Sequence, residues 1–349
     1  MQSWGIGEVM SEGKSNLTEI KDLEVVFKVR NKKMQKVNET GLLRAVDKVT
    51  LDIRKGETLA VVGESGCGKT TLGKAILNIV SPTAGEIQFD GSKLDALSKK
   101  EMQVMRSKMQ LIFQDPYESL NPRQNILNTL MEPLSIHRKE LTEEQKHDKI
   151  QQALESVGLH TVENVLERYP HHLSGGQRQR LAIAASMILE PLFVVADEPV
   201  SMLDVSVRAE ILRLMLDLQQ NKNLTYMFIT HDLSLAWMIA DRIAVFYLGK
   251  MVEIGPADEV VHHCRHPYSK ALVSVIPSVE DQATERYVLL GEAPSPMQIP
   301  EGCRFHTRCW LYEKKSCPEI CRTTQPEFIS VGNDHMVSCH FAEEREGLL

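Results

Sequence analysis

Residues Gly63-Glu64-Ser65-Gly66-Cys67-Gly68-Lys69-Thr70 carry the spacing GxxxxGK[ST]. Glycines at these intervals let successive backbone N–H groups curl around a phosphate, and a helix starting just after them adds the partial positive charge of its N-terminus. In such a loop Lys69 reaches the β- and γ-phosphates, the Thr70 hydroxyl binds Mg²⁺, and Thr71 adds a phosphate contact. Background composition produces this spacing by chance in roughly one chain of this length in a hundred. Here a predicted strand precedes it and a predicted helix follows, which makes a glycine-rich surface turn a poor alternative. Taken alone, the loop reports a nucleoside triphosphate binder.

Two further stretches supply chemistry that such a loop needs. Leu192-Phe193-Val194-Val195-Ala196 is an apolar strand that ends in Asp197 and Glu198. A carboxylate at that position orders the Mg²⁺ shell, and the next one polarises an attacking water as general base. The alternative is a buried strand with a solvated acidic end. Leu173-Ser174-Gly175-Gly176-Gln177 arises by chance in about one chain in several thousand, and it opens a helix-forming stretch, a second anion cradle.

These residues need a scaffold, and the surrounding pattern describes one. Strands are expected at 23–27, 46–53, 58–62, 85–90, 109–113, 192–196, 224–229 and 242–247, with helices at 69–80, 174–189 and from 204 onward. Strand signals vanish over about 115–169, where helical segments dominate. Alternating strands and helices predict an α/β fold with a parallel sheet covered on both faces. Three regions follow: an N-terminal extension at 1–22, a main domain at 23–255 with a helical subdomain at about 115–173, and a Pro-, His- and Cys-containing module at 256–349.

Composition narrows the function classes. The chain has 349 residues, 42% of them hydrophobic and 25% charged, with a formal net charge of −7. That charge argues against a general nucleic-acid binder, which presents a basic face. No apolar run approaches the ~18–20 residues that cross a bilayer, and residues 1–18 lack the apolar core of a signal peptide. The expectation is a cytoplasmic protein that serves any membrane process through a partner.

In order and content these motifs resemble the ABC ATPases over about residues 23–255. The resemblance implies a P-loop NTPase (RecA-like) core with an antiparallel β subdomain and a helical subdomain. It makes Gly63 to Thr70 the Walker A loop and Asp197 and Glu198 the Walker B pair. Gln114, in Phe113-Gln114-Asp115-Pro116, becomes the Q-loop glutamine and a further Mg²⁺ contact. Ser174, Gly175, Gly176 and Gln177 become the signature, Asp204 closes the D-loop, and His231 is the switch histidine. Met202 stands where the family usually has alanine. Phe27 is a candidate to stack on adenine, with an ordinary core aromatic as the alternative. The resemblance further implies a head-to-tail dimer with each ATP between one Walker site and the other subunit's signature. The short interval from Gln114 to Ser174 argues against the long coiled coil of ABC-type DNA-repair ATPases.

Longer phrases narrow the match to the oligopeptide/dipeptide importers: VGESGCGKTTLG from Val62, IFQDPYESLNPR from Ile112, YPHHLSGGQRQR from Tyr169 and ADEPVSMLDVSV from Ala196. Gly66-Cys67-Gly68 and Gln177 are similar to the F type of ATPase subunit in that group. His266-Pro267-Tyr268 and Gly291-Glu292-Ala293-Pro294 are similar to its C-terminal extension. Partners so implied are two integral-membrane permeases, a second ATPase of the D type and, indirectly, an extracytoplasmic peptide-binding protein, with the chain on the cytoplasmic face of the membrane and no nucleic acid. Relatives of the group carry nickel or oligosaccharides instead of peptides; a soluble ABC ATPase without transport is the other alternative.

Five cysteines crowd the tail, Cys303, Cys309, Cys317, Cys321 and Cys339. Cys303, Cys309, Cys321 and Cys339 fall where the group has a cysteine cluster, and some relatives hold an iron–sulfur centre there. A small Cys-rich module holding a [4Fe–4S] cluster is therefore expected, with Zn²⁺ or free buried thiols as alternatives, since thiolates suit both metals and the spacing lacks a C-x-x-C.

Overall fold

The structure, a computed structural model, describes residues 15–29, 41–159, 164–276, 287, 289 and 291–343. In chain order it runs β1 (Asn16–Lys28), β2 (Leu42–Arg54), β3 (Thr58–Val62), α1 (Lys69–Ile76), β4 (Ala84–Phe89), β5 (Ser92–Lys93), α2 (Lys99–Lys108) and β6 (Met109–Ile112). Helices α3 (Pro116–Ser119), α4 (Ile126–His137) and α5 (Glu143–Ser156) then follow one another. Alternation resumes with α6 (Gly175–Met187), β7 (Phe193–Asp197), α7 (Val205–Lys222), β8 (Thr225–Thr230), α8 (Leu233–Ile239), β9 (Arg242–Tyr247) and β10 (Lys250–Pro256). The C-terminal region holds α9 (Ala257–His262), α10 (Pro267–Val273), α11 (Trp310–Lys314), α12 (Glu319–Thr323), β11 (Ile329–Gly332) and β12 (His335–Val337).

Two sheets organise these elements. One is antiparallel, in the order β2-β1-β4-β5; the other has eight strands in the order β11-β12-β10-β9-β3-β8-β7-β6. Its centre, from β9 to β6, is parallel throughout. Every residue of β3, β7, β8 and β9 is buried. Strands covered on both faces read as unbroken apolar runs, which is why they were recognisable in the sequence. One apolar core lies between this sheet and α4–α7, a second between the two sheets around α1, and a third under α8–α10.

Three expectations need correction. The extension at 1–22 is partly structured: β1 already begins at Asn16, and Leu17 and Ile20 are buried. Register shifts at three points between Asn16 and Val25 break the alternation of inward side chains that marks a strand. Helix α1 stops at Ile76 rather than 80, because Asn78 takes a left-handed conformation (φ +51) and turns the chain. Among its described residues, the region 256–349 is joined to the main sheet rather than standing apart from it. β12 pairs antiparallel with β10, so the tail extends the main sheet by two strands and covers what would otherwise be an open edge.

Candidate nucleotide site

β3 delivers the chain to Gly63, and α1 takes over at Lys69. Gly68, at φ +107, has no room for a side chain: a Cβ there would lie 2.0 Å from the Ala45 carbonyl oxygen. Gly73, one turn into α1, allows the helix to sit on the sheet, since a Cβ would come within 2.8 Å of Val195 Cγ1. The Lys69 ammonium is buried and donates to the carbonyls of Gly63 (2.7 Å) and Glu64 (3.0 Å). It therefore braces the loop from inside, poised beside the backbone N–H groups that would receive a phosphate. The buried Cys67 thiol lies 3.8 Å from the same nitrogen, and desolvation pushes its pKa up.

This loop opens on a cleft of about 810 Å³. Its wall carries Gly63, Glu64, Ser65, Gly66, Gly68, Lys69, Thr70 and Thr71, joined by Gln114, Glu198 and His231. Phe27, Leu43 and Leu272 add an apolar section. Leu272, from α10, was not singled out from the sequence; nothing marks it among other helical leucines. The exposed ring of Phe27, the candidate adenine-stacking residue, lies on this apolar section.

The candidate catalytic side chains gather at the ends of β7 and β8. The Thr70 hydroxyl donates to Asp197 Oδ1 at 3.0 Å, joining the loop to the last residue of β7. Burial raises the Asp197 pKa, and the Thr70 hydrogen bond opposes that shift. Glu198 follows in a left-handed conformation, φ +45, with its N–H donating to the Ile229 carbonyl of β8 at 2.9 Å. That uncommon backbone geometry turns the glutamate side chain from the sheet toward the cleft. Its Oε2 accepts from Gln114 Nε2 at 3.1 Å and lies 3.2 Å from His231 Nδ1. Three elements thus converge on one carboxylate: β7, the loop after β6 and the loop after β8.

Thr70, Asp197 and Gln114 offer oxygen ligands of the kind Mg²⁺ takes, and the ion would neutralise charge on the β- and γ-phosphate oxygens. A carboxylate held by an amide and an imidazole at the mouth of a phosphate cradle is arranged to orient and deprotonate a water.

The second anion cradle lies elsewhere. Ser174 caps α6: its hydroxyl accepts from the Gln177 N–H at 3.3 Å, while Gln177 Oε1 accepts from the Ser174 N–H at 3.0 Å. Gly175 and Gly176 form the first turn, and Asp204 occupies the N-cap of α7. Among the described residues, none of these four signature residues lines the 810 Å³ cleft. The guanidinium of Arg178 bonds the Pro170 and Leu173 carbonyls and stacks 4.2 Å over the Tyr117 ring, which ties the signature to the segment after Gln114.

Two contacts to the phosphate loop were not read from the sequence. The Tyr268 hydroxyl accepts the Glu64 N–H at 2.9 Å, and Arg308 forks the Glu64 carboxylate through Nη1 (2.8 Å) and Nη2 (3.0 Å). Their partners lie over 200 positions away, where no spacing pattern reaches.

In the tail, Cys303, Cys309, Cys321 and Cys339 line one cavity of about 20 Å³ with Phe305, Leu311 and Phe341, whereas Cys317 is exposed. Burial pushes Cys303 up to about 11 and Cys309 and Cys339 up to about 12. Their chemistry suits a cluster that takes thiolates. Their spacing does not form a ligand shell: among the described residues no three His, Cys, Asp or Glu side chains are grouped to hold a metal ion.

Comparison with known proteins agrees with this geometry. The ABC transporter family profile matches residues 46–201, and that of the oligopeptide/dipeptide transporter C-terminal region matches 252–317. The oligopeptide transport ATP-binding protein AppF of Bacillus subtilis is 42% identical over 93% of this chain and 97% of its own length. OppF of Haemophilus influenzae, with the same description, is 42% identical over 95% and 98%. Among solved structures, a dimeric ATP-binding cassette bound to ADP and Pi superposes with a TM-score of 0.60 at 26% identity, covering 69% of this chain and 98% of that one. A part of an ABC transporter complex from Clostridium perfringens gives 0.59 at 26% identity, over 70% and 90%.

Proposed function

The chain belongs to the ABC transporter ATP-binding proteins of the oligopeptide/dipeptide branch, and from that premise we propose that it hydrolyses ATP to drive the import of short peptides. The observation that carries the reading is the convergence of Gln114, Glu198 and His231 at the mouth of a loop whose Lys69 and Thr70 are already set. Glu198 acts as the general base, Gln114 and His231 orient it, and Thr70, Asp197 and Gln114 hold Mg²⁺. Phe27 stacks on adenine. No described helix is long and apolar enough to cross a membrane; translocation belongs to two permease subunits, and this chain docks on their cytoplasmic face. An extracytoplasmic binding protein delivers the cargo.

The division of the two anion cradles supports a dimer in which Ser174, Gly175, Gly176 and Gln177 close the partner's ATP site, while Asp204 and its loop lie at the same seam. The F-type resemblance makes that partner a different, D-type ATPase. A [4Fe–4S] cluster on Cys303, Cys309, Cys321 and Cys339, with Zn²⁺ as the alternative, is supported by the cavity the four thiols share and requires them to draw closer than they stand. Iron and acid-labile sulfide in anaerobically purified protein, lost in Cys321→Ser and kept in Cys317→Ser, would bear that out. Zinc without sulfide selects the alternative, and neither metal leaves four free thiols.

The deciding experiment is uptake. Proteoliposomes holding this chain, its permeases and its partner ATPase should accumulate labelled di- and oligopeptides only with ATP and the binding protein. Accumulation of nickel or oligosaccharide in place of peptide would reassign the cargo, and ATP turnover without any uptake would favour a soluble ATPase.

A further inference from the structure

Glu64, the first residue after Gly63, is gripped at three points. Its N–H donates to the Tyr268 hydroxyl, its carbonyl accepts from Lys69, and its carboxylate takes the Arg308 fork. Arg308 is itself buried, within 3.4 Å of the Tyr247 hydroxyl. It sits on the segment between Cys303 and Cys309, whose other arginine, Arg304, bonds the Asp47 carboxylate and the Leu248 carbonyl. The next residue, Gly249, donates to the Cys67 carbonyl of the phosphate loop at 2.8 Å and accepts from the Asp47 N–H at 2.9 Å. One short stretch of the tail therefore reaches the phosphate loop directly through Arg308 and, by way of Leu248 and Gly249, through Arg304.

We propose that Arg308 is a positioning residue for ATP: its fork on Glu64 keeps the phosphate loop in its receiving shape and cancels a carboxylate charge beside the polyphosphate. The proposal rests on the ATP reading above. Two physical effects act together. A bidentate guanidinium–carboxylate pair fixes orientation as well as distance, so the loop N–H groups stay aligned without nucleotide. An unpaired Glu64 carboxylate on the wall of the cleft would repel an incoming polyanion. The fork holds Glu64, on the wall of the cleft beside Gly63 and Ser65, so its expected influence falls on binding of the polyphosphate.

The test uses the purified full chain and the fluorescent N-methylanthraniloyl derivative of ATP with Mg²⁺, followed by steady-state hydrolysis in the assembled transporter. Arg308→Ala should weaken binding about tenfold, the loss of one charge-assisted pair, and raise KM for ATP with kcat within about twofold of the parent. Arg308→Lys, which keeps charge but not the fork, should fall between. Adding Glu64→Gln to Arg308→Ala should recover part of the affinity, because it removes the repelling charge; a merely structural arginine gives no such recovery. Wild-type binding with an unchanged Arg308→Ala overturns the proposal alone. So does a loss that Glu64→Gln deepens, or one that appears in kcat and not in KM. If wild type binds no better than Lys69→Ala, the ATP reading falls, and this inference with it.

Discussion

A single carboxylate receives most of the chemistry. Glu198 Oε2 is approached by Gln114 and His231 from different loops, and a base so placed is expected to account for the water-activating part of catalysis. Glu198→Gln should lower ATP turnover by about 10²–10⁴-fold while nucleotide binding persists, as measured by parallel hydrolysis and binding assays. Near-normal steady-state turnover in that variant removes Glu198 from the role. Residues 63–71, 173–177 and 197–198 were legible in the sequence because each cluster is contiguous and its chemistry depends on local backbone shape. The grip on Glu64 was not legible. Tyr268 and Arg308 stand 204 and 244 positions away, and a tyrosine or arginine in a tail has no pattern that names its partner.

Elements fixed by continuous burial were easy to read, and those fixed by pairing were not. β3, β7, β8 and β9 are buried throughout and mostly apolar, so composition marks them. β11 and β12 are short, and only pairing, of β12 with β10 and of β11 with β12, makes them strands. Their anchor is a buried contact: His335 Nε2 lies 2.8 Å from the Glu253 carboxylate, which also accepts from the Arg265 and His266 N–H groups. His335→Ala should cost about 1–3 kcal/mol by leaving that buried acceptor short of a partner. Denaturant unfolding measures the loss, and amide exchange should quicken in β12; unchanged exchange there would mean the hairpin is held by other contacts. Helix α1 depends on Gly73 in a different way. Gly73→Val forces methyl groups against Val195 and Ile229, and overpacking of this kind costs about 1–3 kcal/mol. An unfolding midpoint equal to that of the parent would show that α1 can lift without penalty.

At the scale of the whole molecule, the cleft and the capped start of α6 belong to one chain but do not close on each other. In the proposed dimer a complete ATP site takes two chains, with Ser174 serving the partner's Walker site rather than that of its own Lys69. Ser174→Arg, which places a bulky cation where a γ-phosphate would rest, should impair hydrolysis at the partner's Walker site and leave ATP bound at Lys69. Co-expression with the permeases and a candidate second ATPase, followed by native mass measurement, gives the stoichiometry. An active transporter with two copies of this chain and no second ATPase defeats the mixed pairing.

The fork between Arg308 and Glu64 also sets a timetable. At about 5–20 residues per second, a ribosome completes the phosphate loop roughly 12–50 s before it reaches the arginine 244 positions on. A nascent chain in that interval owns the cradle without its clasp. On the proposal above, affinity for nucleotide stays about tenfold short of its final value until the closing stage of synthesis brings Arg308 to Glu64.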